Sequence, residues 1–266
     1  MDGSTGFVDV AGGRLYYEIA GKGHAVTLIH PGLWDSRTWD REFTSFAERF
    51  GVLRYDVRGY GRSSYPTEPY SDVEDLRALL EALEIDRTAL VGCSMGGNLE
   101  VCFTLEHPER VWALVPVASG LSGFDWSDEK WEPIWAPIEK AVADGDLEQA
   151  TDLALEIWAP LGTDDEAGKR LRQIALENTQ NFALDESGLT ERPDPPPATR
   201  LHEIDVPTLI VLGDRDVDEI ATIGKLMASQ IPGAETVVIE GADHVVNMRR
   251  PEEFERAVVG FLDRVK

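Results

Sequence analysis

The chain has 266 residues, with 49 Asp and Glu against 25 Lys and Arg, and a formal charge of −24. That length suits one large α/β core with an inserted subdomain, and the acidity disfavours nucleic acid and anionic membrane, since both need a basic patch. No run of about eighteen apolar residues occurs, and Met1 to Phe7 lack the order of a signal sequence, so the expectation is a soluble cytoplasmic protein.

Phe7 to Val10 and Leu15 to Ile19 flank Gly12-Gly13 and read as an opening hairpin. Ala25 to Ile29 is a buried strand that runs into His30-Pro31-Gly32-Leu33-Trp34. A glycine- and proline-bearing loop after such a strand is where a backbone N–H can line an oxyanion pocket; Gly32 is the first choice of donor and Leu33 the second. His30 reads as a structural hydrogen-bonding residue. Trp39, Phe43, Phe46 and Ala47 recur at helical spacing and predict a helix over 36–49. Val52 to Tyr55 follows as a strand and enters the turn-rich loop Asp56 to Ser63, in which Asp56 and Arg58 are expected to pair. Ser71 to Leu83 starts with a capping serine and sets Val73, Leu76, Leu79, Leu80 and Leu83 on one face of a helix.

Thr88 to Asn98 is a short apolar strand, a tight turn at Ser94 and the start of a helix. Gly92 and Gly96 flank Ser94 at two residues on either side, the Gly-x-Ser-x-Gly pattern that lets strand and helix cross closely and leaves the hydroxyl exposed on strained backbone. The N–H of Met95 and the positive end of the helix dipole would face whatever Ser94 attacks. Cys93 and Cys102 bracket this unit, too far apart along it for a disulfide, and read as reduced core residues. The helix from Met95 stops at His107-Pro108, and Val111 to Val117 is the next strand.

Over 121–200 the strand–helix alternation stops. The segment is helical, holds Trp126, Trp131, Trp135 and Trp158, and ends in Pro193-Asp194-Pro195-Pro196-Pro197, a stiff return to the main body. It is read as a cap over the carboxyl ends of the strands, with residues 1–120 and 201–266 forming the core domain. Some of its tryptophans build the cap's own core; others, with Trp34 and Val245, are candidates for an apolar wall above Ser94. Thr208 to Leu212 and Thr236 to Ile239 resume the strand pattern, each followed by a glycine-bearing loop, and Glu252 to Val265 closes the chain as a helix.

A serine hydroxyl needs a base within reach and an acid to orient that base. Of the five histidines, His244 alone follows a late strand in such a loop. Asp214, Asp216 and Asp218 compete for the acid; Asp216 stands deep enough in its loop to turn inward, whereas Asp243, next to the histidine, points away. No metal or cofactor is expected.

The order of elbow serine, cap, acid loop and histidine loop resembles the α/β-hydrolase superfamily, as do His30-Pro31-Gly32, Asp56-x-Arg58-Gly59-x-Gly61-x-Ser63 and Asn247 to Pro251. The resemblance extends over nearly the whole chain and points to the esterase, lactonase and carbon–carbon hydrolase branch. It implies a central, mostly parallel sheet of eight strands flanked by helices, a Ser94/His244/Asp216 triad, and oxyanion donors at Met95 and in the loop after His30. Pro31 stands where that loop usually has glycine. Ser94 in place of an elbow aspartate speaks against haloalkane dehalogenases and epoxide hydrolases. The implied activity is hydrolysis of a carboxylic ester or lactone through an acyl-serine. A hydrolase of vinylogous diketones uses the same residues and would want a basic cluster facing Ser94, for which Lys169, Arg170 and Arg172 are the candidates. A ligand receptor retaining the fold is the reading from another class, and a cofactor-free lyase or perhydrolase a third.

Overall fold

Unbroken apolar runs become the interior strands. In the computed structural model, which describes residues 3–183, 189–191 and 193–266, these are β3 (Ala25–Ile29), β5 (Thr88–Cys93), β6 (Val111–Val117) and β7 (Leu209–Gly213). Helices cover both faces of a parallel sheet, so such strands do not alternate. The hairpin β1 (Ser4–Val10) and β2 (Gly13–Gly21) pairs antiparallel and turns at Gly12, φ +70°. With β4 (Gly51–Tyr55) and β8 (Glu235–Ile239) the sheet has eight strands in the order β1-β2-β4-β3-β5-β6-β7-β8. Only β1/β2 and β2/β4 are antiparallel among the pairs described. The mostly parallel α/β sheet expected from the sequence is thus present.

Pro116 lies inside β6 and has no N–H to donate. The β6–β7 ladder is correspondingly thin, with partners at Leu114↔Thr208 and Val117↔Val211 on either side of it.

The crossover helices are α1 (Asp40–Phe46), α2 (Asp72–Ala82) and α3 (Met95–Glu106). Ser71 caps α2 by accepting from Glu74 N–H, as its place before the periodic run predicts. The helix expected over 36–49 is divided: a 3-10 turn, Ser36–Trp39, precedes α1. Asp35 is the cause, because its side chain accepts from Arg37 N–H and its carbonyl from Thr38 N–H, which winds the first turn tighter than an α-helix.

The expected Asp56–Arg58 pair does not form. Arg58, 1 % exposed, makes a two-pronged ion pair with Asp75 of α2, Nε and Nη2 each 2.7 Å from a carboxylate oxygen. Asp56 instead accepts from the backbone N–H groups of Ser36 (3.0 Å) and Arg62 (2.9 Å), so it ties two loops together without a cation. The two side chains leave the loop in different directions, and α2 supplies the nearer carboxylate to Arg58.

Between β6 and β7 lie α4 (Asp128–Ala143), α5 (Leu147–Trp158), α6 (Glu166–Leu176) and a 3-10 turn, Thr179–Ala183. Residues 184–188 and 192 of the segment read as a cap fall outside the described residues, as do Met1 and Asp2. Ile138, Ala141, Ala150 and Ala154 form a small core between α4 and α5. A second cluster joins this segment to the body: Trp34 and Val245 pack with Leu155, Leu171 and Ile174, and Trp34 Nε1 donates to Leu171 O at 3.0 Å.

After β7 comes α7 (Asp218–Gln230), in a stretch where the sequence reading set out no element; Ile220, Ile223, Gly224 and Met227 are buried along one face of it. A short helix α8 (Val246–Arg249) leads into α9 (Pro251–Val265), whose proline sits at the start, where its missing N–H costs nothing. Among the described residues, no helix is long and apolar enough to cross a membrane.

Candidate active site

Steric exclusion builds the elbow. A Cβ on Gly92 would collide with the Gly96 carbonyl, and one on Gly96 with Ile29 O, so the chain can pass from β5 into α3 here only where both side chains are absent. Ser94 itself has φ +53° and ψ −110°, a conformation that costs on the order of 1–3 kcal/mol for a residue with a side chain. Three hydrogen bonds hold it: Ser94 N–H donates to Val117 O, and Ser94 O accepts from Asn98 N–H and Gly120 N–H, all within 2.9–3.0 Å. Met95 is the first residue of α3, so its N–H has no partner inside the helix and lies at the positive end of the dipole.

β8 and β7 deliver the other two groups. His244 Nδ1 lies 2.8 Å from Asp216 Oδ2, and both side chains are 2 % exposed. Against a carboxylate Nδ1 must be the protonated nitrogen, which leaves Nε2 as an acceptor. Val217 N–H donates to Asp216 Oδ1 at 2.8 Å and fixes the carboxylate. The competing aspartates are occupied elsewhere. Asp214 Oδ1 accepts from Gly241 N–H at 2.6 Å, Asp218 starts α7, and Asp243 pairs with Arg249 at 3.0 Å and accepts from Leu161 N–H.

The remaining candidates take structural positions. His30 Nε2 accepts from Val57 N–H at 2.9 Å while Nδ1 donates to Pro31 O at 2.8 Å, and burial lowers its pKa, so the ring is neutral and braces the loop. The Cys93 thiol is buried and its pKa is pushed well up by desolvation, followed by the Asp216, Glu100 and Asp243 charges; it stays a thiol.

Ser94 and His244 open on one cavity of about 490 Å³. Gly32, Leu33 and Met95 line the same cavity, Leu33 with φ +71°. Of the six residues proposed as pocket walls, Trp34, Trp135 and Trp158 line it, whereas Trp126, Trp131 and Val245 do not. Trp158 lies over the histidine, ring centroids 4.5 Å apart. Trp131, Trp135 and Trp158 form a triangle of rings, with Trp131 5.9 Å from each of the others and those two 6.3 Å apart, and Trp126 meets Trp131 edge-on at 5.2 Å. Of this cluster of four, Trp135 and Trp158 reach the cavity. Val245 turns to the opposite side of its loop, into the cluster with Trp34.

The sequence reading missed Tyr60, Ala154, Asn181 and Phe182, which complete the lining. Tyr60 did carry a signal, since it sits between two positive-φ glycines, Gly59 and Gly61, whose turn presents its ring to His30 at 5.2 Å. Asn181 and Phe182 reach the cavity from a 3-10 turn with no periodicity to mark it. Arg172 pairs with Asp152 and Glu148, and Arg170 with Asp40; neither these nor Lys169 line the Ser94 cavity. Among the described residues, no group of three or more His, Cys, Asp or Glu is placed to hold a metal ion.

A strained serine at a strand–helix turn, with a carboxylate-bound histidine opening on the same cavity, is the arrangement of an α/β hydrolase. A sequence model of the alpha/beta hydrolase family matches residues 28–257, and the chain belongs to that family. Among its relatives is the 2-hydroxy-6-oxononadienedioate/2-hydroxy-6-oxononatrienedioate hydrolase of Burkholderia vietnamiensis, 29% identical over 273 residues, 94% of this chain and 91% of that one. The enol-lactonase of Burkholderia xenovorans superposes with a TM-score of 0.81 at 25% identity, over 97% of this chain and 100% of that one. Est816, described as an N-acyl homoserine lactone degrading enzyme, gives a TM-score of 0.74 at 28% identity over 96% and 100% of the two chains.

Proposed function

We propose that this hydrolase cleaves a carboxylic ester or lactone of small to medium size and partly apolar character through an acyl-Ser94 intermediate. The observation that carries the reading is the 2.8 Å contact of His244 Nδ1 with Asp216, with His244 and Ser94 on one cavity. His244 Nε2 takes the Ser94 proton as Oγ bonds to the acyl carbon, and the charge on the carbonyl oxygen is met by Met95 N–H and by Gly32 or Leu33 N–H. The tetrahedral adduct expels the alcohol, which receives that proton from His244. A water then gives a proton to His244 and its oxygen to the acyl carbon; collapse releases the acid and returns the proton to Ser94.

Residues 121–200 act as the cap in this scheme, and Trp135 and Trp158 exclude water above the serine. The enol-lactonase and the lactone-degrading relative support a substrate of this class. The carbon–carbon hydrolase reading is the weaker one, because no Lys or Arg occurs among the described residues lining the cavity to receive a carboxylated substrate. Incubation with a fluorophosphonate tests the proposal. Stoichiometric labelling of Ser94 and a burst with a short-chain aryl ester are expected, and the absence of both would overturn it.

A further inference from the structure

The 3-10 turn that brings Asn181 and Phe182 to the Ser94 cavity is pinned at its start. Asn178, fully buried, spends its whole side chain on the protein: Nδ2 donates to Asp35 Oδ2 at 2.7 Å and to Ile174 O at 2.9 Å, and Oδ1 accepts from Gly61 N–H at 2.8 Å. Its carbonyl oxygen accepts from Asn181 N–H at 3.0 Å, which holds Asn181 one 3-10 turn further on. The Asn181 side chain is used differently. Both of its amide atoms, Nδ2 and Oδ1, are buried, and neither has a hydrogen-bond partner among the described residues. Other buried polar atoms also lack a partner, but none of them belongs to a residue that lines the cavity of Ser94 and His244. In a cavity walled largely by Leu33, Trp34, Trp135, Trp158 and Phe182, an anchored turn thus holds one donor and acceptor pair that the protein itself does not use.

We propose that Asn181 determines specificity in the Ser94 cavity, by pairing with a neutral substrate group that both donates and accepts hydrogen bonds, a primary carboxamide being the closest match. The inference rests on the acyl-serine reading above for the bond that is cleaved. An asparagine amide carries N–H donors and a carbonyl acceptor on one planar group. A primary carboxamide sets the same two functions side by side, so the pair can close a ring of two hydrogen bonds. An alkyl group in its place would leave the Asn181 amide buried and unpaired. A carboxylate would set its charge against Oδ1, with no Lys or Arg among the described lining residues to offset it.

Two ester series test this: phenyl esters whose acyl chains of graded length end in a carboxamide or in the similarly shaped isopropyl group, and acetates of alcohols with the same endings. In at least one series the wild-type kcat/KM should favour the carboxamide over its isopropyl partner by about tenfold, at the length that reaches Asn181. Asn181→Leu keeps the bulk and removes both polar atoms, and should bring that ratio to one or below; the ratio cancels any loss common to the two esters. Asn181→Asp replaces the N–H donors by a carboxylate oxygen, and should shift the preference to an ester of the same length ending in an ammonium group. Circular dichroism reports whether each variant is folded, and Asn181→Asp decides if Asn181→Leu is not. Equal or better wild-type turnover of the isopropyl esters at every length in both series overturns the assignment, as does an unchanged preference in a folded variant. Turnover of no ester overturns it too where the fluorophosphonate labels Ser94; with Ser94 unlabelled, the ester-hydrolase reading itself fails.

Discussion

The elbow and the helices inserted after β6 line one cavity and are built by opposite means. At the elbow, the geometry is set by atoms that must be absent: Gly92, Gly96 and Gly97 each face backbone or the Ser119 side chain too closely to accept a Cβ. In the inserted segment, the geometry is set by bulk, with the rings of Trp131, Trp135 and Trp158 in mutual contact and Trp126 against the edge of Trp131. A rule of exclusion leaves little choice of residue, while an aromatic cluster can be filled in many ways. On the proposed mechanism this is a division of labour, in which the elbow fixes how a bond is broken and the tryptophan cluster decides what is admitted.

Substitutions on the two sides should therefore fail differently. On the proposed mechanism, Ser94→Ala removes the nucleophile, and kcat should fall by up to about a million-fold while circular dichroism and melting temperature stay near wild type. Retained turnover would place the nucleophile elsewhere. Asp216→Asn keeps the shape of the acid but no longer holds His244 with its proton on Nδ1, so kcat should drop by roughly ten-thousand-fold with KM little changed. A comparable rise in KM instead would show Asp216 serving substrate binding.

The same contrast explains what could be read from the sequence. Elements punctuated by glycine or proline were legible: β3 and β6 occupy the predicted Ala25–Ile29 and Val111–Val117, and α3 runs from Met95 to the stop expected before His107-Pro108. His244 and Asp216 were also legible as candidates, since each follows its own strand, and the sheet order brings β7 beside β8. Features decided by side-chain competition were not. Arg58 chose Asp75 over Asp56 because α2 packs across it, and Asp35 wound the start of the next helix into a 3-10 turn. The wall of the cavity was least legible of all. Tryptophan count says nothing about which rings of a cluster reach a cavity, and Asn181 and Phe182 arrive from a turn whose position depends on how the whole segment packs.

Glu42 bears on the body side of the comparison through stability. It is buried in α1, accepts from Asn247 Nδ2 at 3.0 Å, and burial raises its pKa from 4.5 to about 7 against the opposing effect of that hydrogen bond. Asn247 lies in α8, immediately after the His244 loop, and also donates to Thr38 O at 2.8 Å. Because the folded-state pKa lies above the unfolded one, the folded protein holds the proton more tightly. Stability from this group is present below pH 4.5 and is lost as the pH rises through about 7, by on the order of 3 kcal/mol. Glu42→Gln should flatten the pH dependence of urea unfolding across that window. A variant with the wild-type slope would remove Glu42 as its source.

The smallest effects should separate members of the tryptophan cluster. Trp158 touches the His244 ring and lines the cavity, whereas Trp126 lies two rings away from the histidine. Trp158→Phe should raise KM for an aryl ester by about tenfold, because it removes part of the apolar wall of the cavity. Trp126→Phe removes similar area from the outer edge, and should lower the melting temperature by a few degrees while kcat/KM stays within about twofold. If both variants alter KM alike, the cluster transmits its packing to the cavity as one body, and the tryptophans lining the cavity do not select substrate on their own. If neither does, selection lies on the elbow side of the cavity, and the division of labour fails.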